Sequence, residues 1–134
     1  MLRVFWSAKP IALDLGLLII RLAVSGFMLT HGYPKLIHFA ERAERFSDPL
    51  GIGSTASLAL VVFAEFFCSI LLFLGLFTRF ALVPLIITMA VVVFIVHGDD
   101  PFGDKEKALL FLVPYMALFL TGPGHWSFDR KLRK

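Results

Sequence analysis

Almost everything that cysteine chemistry requires is missing from this chain. Cys68 is the single cysteine, so an intrachain disulfide, a CxxC redox pair and a cysteine-rich metal site are all excluded. It sits inside an apolar run and reads as a small packed residue rather than a reactive thiol. Charge is scarce as well. Only 17% of residues are charged and 58% are apolar, whereas an ordinary soluble domain is roughly a quarter charged and about half apolar. A soluble fold of 134 residues could not hide so much apolar surface. There is no phosphate-binding glycine loop, no HExxH and no nucleophile elbow, and His38 and His125 have no partners at metal-ligand spacing, so no metal site is expected.

What is present is apolar bulk in long blocks, including fifteen phenylalanines. Such blocks are solvated by lipid, and a hydrocarbon core takes about 20 helical residues to cross. The pattern predicts an all-α membrane protein of one domain over residues 1–134, a four-transmembrane-helix bundle with spans of about 11–32, 56–77, 80–97 and 107–122. The first block is broken by Asp14, Arg21 and His31, the second only by Glu65, and the third by no ionisable residue before His97. A cleavable signal peptide is the rival for the first block, given Arg3, Lys9 and Ala23-Val24-Ser25. Arg21 would interrupt its apolar region and hydrophobicity runs on through Gly26–Thr30, which favours a span. Thr78-Arg79 is so short a link that the second and third spans must fold back on each other. The fourth block, Ala108 to Leu120, is about 20 Å long and reaches across only with help from Lys105, Lys107 and Thr121-Gly122.

Between the first two spans, Pro34–Ser47 sets Leu36, Phe39, Ala40, Ala43 and Phe46 on one helical stripe, which predicts a short helix lying in the interface, with Pro34 in its first turn. Arg3, Lys9, Arg79, Arg130, Lys131, Arg133 and Lys134 fall on the side of the termini, against Lys35, Arg42, Arg45, Lys105 and Lys107 opposite. Seven against five places both termini in the cytoplasm. The net charge of +3 is concentrated in that basic tail, where it meets an anionic bilayer surface. No basic stripe interleaves with exposed aromatics, which argues against nucleic acid as a partner.

An ionised side chain near the bilayer centre costs about 2.5–3.5 kcal/mol even on the lenient insertion scale, so Arg21 and Glu65 are expected to find each other. Counted from the inner ends of the two helices, Ala12 and Leu76, they lie about 14 and 17 Å deep, within reach on adjacent antiparallel helices. This buried ion pair would lock helix register, or form the core of a proton or anion pathway. His31-Gly32 and His97-Gly98 end two parallel helices at one level. The imidazoles there cap free carbonyls, hydrogen-bond a quinone or other polar head group, or ligate haem as a pair. In the ligand-binding case Gly32 and Gly98 leave space beside the rings and Phe27 and Phe94 hold the ligand. The endings Leu72-Phe73-Leu74-Gly75 and Leu118-Phe119-Leu120-Thr121-Gly122 echo each other as a weak duplication. Pro84 and Pro114 are expected to bend the last two spans and free carbonyls, one of which Tyr115 can reach.

The pieces Leu15-Gly16-Leu17-Leu18-Ile19-Ile20-Arg21-Leu22, His31-Gly32 with Lys35-Leu36, Glu65 before Leu74-Gly75-Leu76-Phe77-Thr78-Arg79, His97-Gly98 and Thr121-Gly122-Pro123-Gly124-His125-Trp126-Ser127-Phe128-Asp129 occur in an order and spacing that resemble the DoxX family. His125 departs from the arginine more usual at that point. The resemblance implies a multi-pass protein of the bacterial or archaeal cytoplasmic membrane, accessory to quinone-dependent oxidoreductase complexes or to oxidative-stress and thiol homeostasis. It implies a redox partner protein rather than a complete reaction in the isolated chain, and it supplies no proven catalytic residue. Homo-oligomerisation fits such a subunit. A small transporter or channel built on Arg21 and Glu65 and a purely structural membrane subunit are the alternatives.

Overall fold

The computed structural model describes residues 1–133; Lys134, counted above in the basic tail, lies outside the described residues. Every element among them is helical. After a 3-10 turn at Leu2–Trp6, the elements are α1, Leu13–Ile37, a single short turn of helix α2, Phe39–Arg42, α3, Ser54–Leu74, α4, Thr78–Val96, α5, Phe102–Thr121, and α6, Phe128–Leu132. Three of these, α1, α3 and α4, are long and apolar enough to cross a membrane. The 20 residues of α5 include Asp104, Lys105, Glu106 and Lys107, so its apolar part begins only at Ala108. The long helices pack α1 on α3, α3 on α4, α4 on α5 and α5 back on α1.

The core between them contains no phenylalanine among its buried residues. It is built of Leu72, Leu82, Leu85, Leu112 and Leu118 with Met28, Tyr115 and small residues such as Ala64, Cys68 and Ala81. The fifteen phenylalanines are half-buried or exposed, Phe27, Phe80 and Phe94 among the most exposed. Lipid solvates aromatic bulk as well as a core does, so the drive that buries phenylalanine in water is missing. Close helix approach then selects small residues for the contacts.

Two features depart from expectation. First, α1 does not stop at Gly32 but continues through Pro34 to Ile37, and the predicted interfacial helix shrinks to the turn Phe39–Arg42. Proline lacks one backbone donor and strains a helix interior. Continuing the helix, however, carries Leu36 onto Leu58 and Val62 of α3 and Lys35 onto Glu65. The stripe Leu36, Phe39, Ala43 and Phe46 does share one face, and it packs on α3 rather than lying free in the interface. Secondly, α3 and α4 are not uniformly α-helical. Phe63–Cys68 and Val92–Val96 are π-helical turns, a form that occurs mostly as single bulges, frequently at functional sites. Glu65 lies in the first, and His97 follows the second. Pro84 and Pro114 are accommodated inside continuous helices, with Thr88 Oγ1 donating to the Pro84 carbonyl at 2.8 Å.

Candidate functional site

Buried polarity is divided between the two ends of the molecule. At the distal end, away from the termini, Gly32 of α1 lies against the backbone of Glu65, so close that a Cβ there would sit 2.6 Å from the Glu65 carbonyl carbon. This glycine allows helix contact and does not open space beside His31. The contact fixes the level of Glu65, and one turn on along α1 Lys35 Nζ reaches Glu65 Oε2 at 2.5 Å. The carboxylate is nearly sealed, its side chain 6% exposed against 20% for Lys35.

Around this pair lies a cavity of about 210 Å³ to which α1, α3, α4 and α5 all contribute. His31 and His97 both line it, as do Asp104 and Lys107, while Met28, Met89, Val92 and Phe111 supply apolar wall. The His31 ring stands edge-on to Phe111 at 5.9 Å, and His97 Nδ1 pairs with Asp100 Oδ2 at 2.8 Å. Both histidines expected at one level line this one cavity. Phe27 and Phe94 are 64% and 71% exposed and lie outside the cavity, which Phe111 lines instead. Gly98 approaches the carbonyl of Phe94 at the end of the π-helical turn. A second, apolar groove of about 290 Å³ between Leu60, Ile87, Val91 and the Phe46–Ile52 loop shares Val92 and His97 with the first. The loop is tied by Asp48, whose carboxylate accepts from the Ile52 and Gly53 N–H and the Ser57 hydroxyl. The Gly53 N–H foremost, with these others, holds its carboxyl below the ordinary aspartate range.

The expected Arg21–Glu65 pair is not made. Arg21 is level with Gly75, ten residues beyond Glu65 on α3 or about 15 Å along the helix. Its guanidinium is buried at the opposite end, where Nη1 donates to the Pro123 carbonyl and Nη2 to that of Trp126, both at 2.8 Å. Depth counted from the inner ends misses this because those ends are not level: Arg21, eight residues into α1, stands beside Gly75 at the very end of α3, a register set by two glycines. Gly75 has φ +69°, ends α3 in a Schellman turn with Gly75 N–H to Leu72 and Leu76 N–H to Leu71, and leaves room for both Arg21 and Ser127.

Three residues that sequence reasoning left without a role complete these sites. Lys35 was concealed by treating Pro34 as a helix end; with α1 continuous, His31 and Lys35 are an i,i+4 pair on one face. Asp129 accepts from the N–H groups of Phe77 and Thr78 at 2.7 and 2.9 Å and so caps α4 from 51 residues away. Asp14 accepts from the His125 N–H at 2.9 Å. No local signal marks either carboxylate as a cap for a distant segment. The Tyr115 hydroxyl, fully buried, has no hydrogen-bond partner among the described residues, so it reaches no freed carbonyl. No group of three or more histidine, cysteine or acidic side chains among the described residues is placed to hold a metal ion.

Comparison with known proteins bears on this geometry. The DoxX family profile matches residues 16–98, from the start of α1 to the His97-Gly98 pair. The chain is 32% identical over 130 residues to the uncharacterized membrane protein Rv3486 of Mycobacterium tuberculosis, covering 86% of this chain and 80% of that protein. It is 30% identical over 137 residues to the inner membrane protein YphA of Escherichia coli, with 95% and 94% covered. The inner membrane protein YqjF of the same organism is 25% identical over 127 residues, with 90% and 95% covered. No solved structure matches.

Proposed function

From the premise that this chain belongs to the DoxX family and is an integral membrane protein in contact with lipid, we propose that it binds a small molecule with a hydrogen-bonding head, a quinone in the first instance, in the distal cavity. In this reading it serves as an accessory membrane subunit of quinone-linked redox chemistry and passes its effect to a redox partner protein. One observation carries the reading: His31 and His97, 66 residues apart in sequence, line the same cavity with the Lys35–Glu65 pair. Imidazole nitrogens and the Lys35 ammonium can donate to a carbonyl head, while Met28, Met89 and Phe111 offer an apolar surface to a ring. Quenching of intrinsic fluorescence by a water-soluble quinone, run beside a thermal melt, tests it. His31→Ala and His97→Ala are each expected to weaken quenching while leaving the melt in place. Unchanged affinity in both removes the site, and lost folding in both returns the histidines to a capping role.

A transport reading is favoured by a different observation. The Lys35–Glu65 pair lines the cavity, and four residues on from Glu65 in α3 and from Phe111 in α5 the hydroxyls of Ser69 and Tyr115 are buried with no hydrogen-bond partner among the described residues. In it, Glu65 exchanges protons, and Glu65→Gln abolishes proton flux in liposomes. Absence of flux in the wild-type protein sinks this second reading.

The same proposal has α5 as a fourth complete span and both termini in the cytoplasm of a bacterial or archaeal cell. An impermeant thiol reagent applied to intact cells, with Cys68→Ser as background, is expected to label Asp100→Cys and spare Arg133→Cys. The converse pattern reverses the orientation, and labelling of both makes the number of spans odd.

A further inference from the structure

At the terminal end, a cavity of about 480 Å³ opens between the end of α3 and the C-terminal segment, within the about 300–1,000 Å³ usual for small-molecule sites. Arg21, Arg130 and Lys131 line it together with Phe73, Leu74 and Trp126. Two features make it more than a solvated basic surface. Arg21 is 2% exposed, and both terminal nitrogens are held by neutral carbonyls while Nε has no hydrogen-bond partner among the described residues. No carboxylate among the described residues forms an ion pair with it. The nearby Asp129 already gives its two oxygens to the Phe77 and Thr78 N–H groups. The cavity therefore adjoins a buried positive charge whose hydrogen bonds go only to neutral carbonyls, with two further cations lining it.

The walls indicate what kind of anion fits. Phe73 and Leu74 are 41% and 39% exposed on the outer side of α3, so an apolar surface runs from the cavity along the helix into the acyl region. Trp126 is half exposed beside the cations, the residue and the level at which membrane proteins meet headgroups. We infer that this cavity binds the phosphodiester headgroup of an anionic phospholipid, with its phosphate at Arg21, Arg130 and Lys131 and its chains along Phe73 and Leu74. Basic pockets between membrane helices take such headgroups by direct charge attraction in a partly desolvated setting. Bound there, the lipid braces the segment Pro123–Lys131 against α1 and α3. The site is separate from the distal cavity and does not depend on the quinone reading.

The test uses the full chain in detergent, titrated with phosphatidylglycerol, phosphatidylcholine or inorganic phosphate and read by native mass spectrometry and thermal unfolding. Arg21 also ties Pro123 and Trp126 to α1, so its removal would mix stability with binding, and the variant is Arg130→Gln/Lys131→Gln, whose side chains are exposed. Phosphatidylglycerol is expected to bind the wild-type protein and raise its melting temperature, with phosphatidylcholine giving neither effect. The double variant should melt as the wild type does without lipid and bind phosphatidylglycerol roughly tenfold or more weakly. Equal binding of the two lipids, or unchanged binding in the variant, overturns the inference. Full displacement of phosphatidylglycerol by millimolar inorganic phosphate identifies a free-anion site and overturns the lipid assignment.

Discussion

The two ends of this molecule deal with buried charge in opposite ways. At the terminal end, Arg21 bonds backbone carbonyls and Asp129 and Asp14 bond backbone N–H groups, so each charge ties distant segments together. At the distal end, Lys35 and Glu65 satisfy each other beside two histidines and a cavity. A charge bonded to backbone holds its partners in one geometry and has no second arrangement available to it. Two side chains bonded to each other can separate, exchange a proton or admit a third group. The comparison teaches that the terminal end is built to be rigid and the distal end to respond.

The largest expected effect comes from removing the terminal lock. Arg21→Gln forfeits two charge-assisted hydrogen bonds and leaves two carbonyls short of donors, a loss of about 3 kcal/mol or more. Chemical denaturation in detergent should record it, accompanied by early proteolysis of the segment after Gly122. Arg21→Lys should rescue little, because one ammonium cannot reproduce a two-pronged fork. A wild-type melt for Arg21→Gln would end the claim of rigidity.

At the distal end, Glu65→Gln and Lys35→Gln should each destabilise less than Arg21→Gln, since Lys35 is partly exposed and can rotate toward water. The pair should show a coupling of about 1–3 kcal/mol in a double-mutant cycle. Arg21 and Glu65, at opposite ends, should be additive. A coupled Arg21/Glu65 cycle would restore the direct pair that the sequence suggests and contradict the observed register.

Glycines sharpen the contrast between helix contacts and open surface. Gly32→Ala forces a Cβ against Glu65 backbone that cannot move aside, with an expected loss of about 1–3 kcal/mol. Gly26→Ala meets nothing within 4 Å and should be neutral or stabilise by up to about 1 kcal/mol through helix propensity. Equal melts for the two variants would show that the α1–α3 contact is looser than the geometry implies.

The smallest effect is a pH dependence carried by Asp129. Partial burial pushes its carboxyl up, but the Thr78 and Phe77 N–H groups and the Arg133 charge outweigh this and hold it below its ordinary value of 3.8. A depressed folded-state value means that its stabilisation is complete above about 3.8 and is lost as pH falls through the lower, folded value. Asp129→Asn should cost about 1 kcal/mol at neutral pH, as for loss of a helix cap, and flatten the acid limb of the melting curve. An unchanged acid limb would assign that limb to other groups, Asp48 first, since its carboxyl is depressed in the same direction.

Much of this was open to reading from residue order alone. Long apolar blocks with few charges require lipid whatever the packing, because the free energy of transfer depends on composition and length, and α1, α3 and α4 follow from it. The placing of two histidines at one level followed from helix direction, and the ordered pieces around Arg21, His31, Glu65 and His97 were enough for the family. What tertiary structure alone decided was partnership. Whether Glu65 met Arg21 or Lys35 turned on a register set by Gly32 against Glu65 and Gly75 against Arg21, and on a proline that did not end its helix. Asp129 and Asp14 became caps only when the chain end folded back over the terminal face. Insertion into lipid is governed by sums over local sequence, whereas hydrogen-bond pairing depends on distances of a few ångströms between segments as much as 111 residues apart.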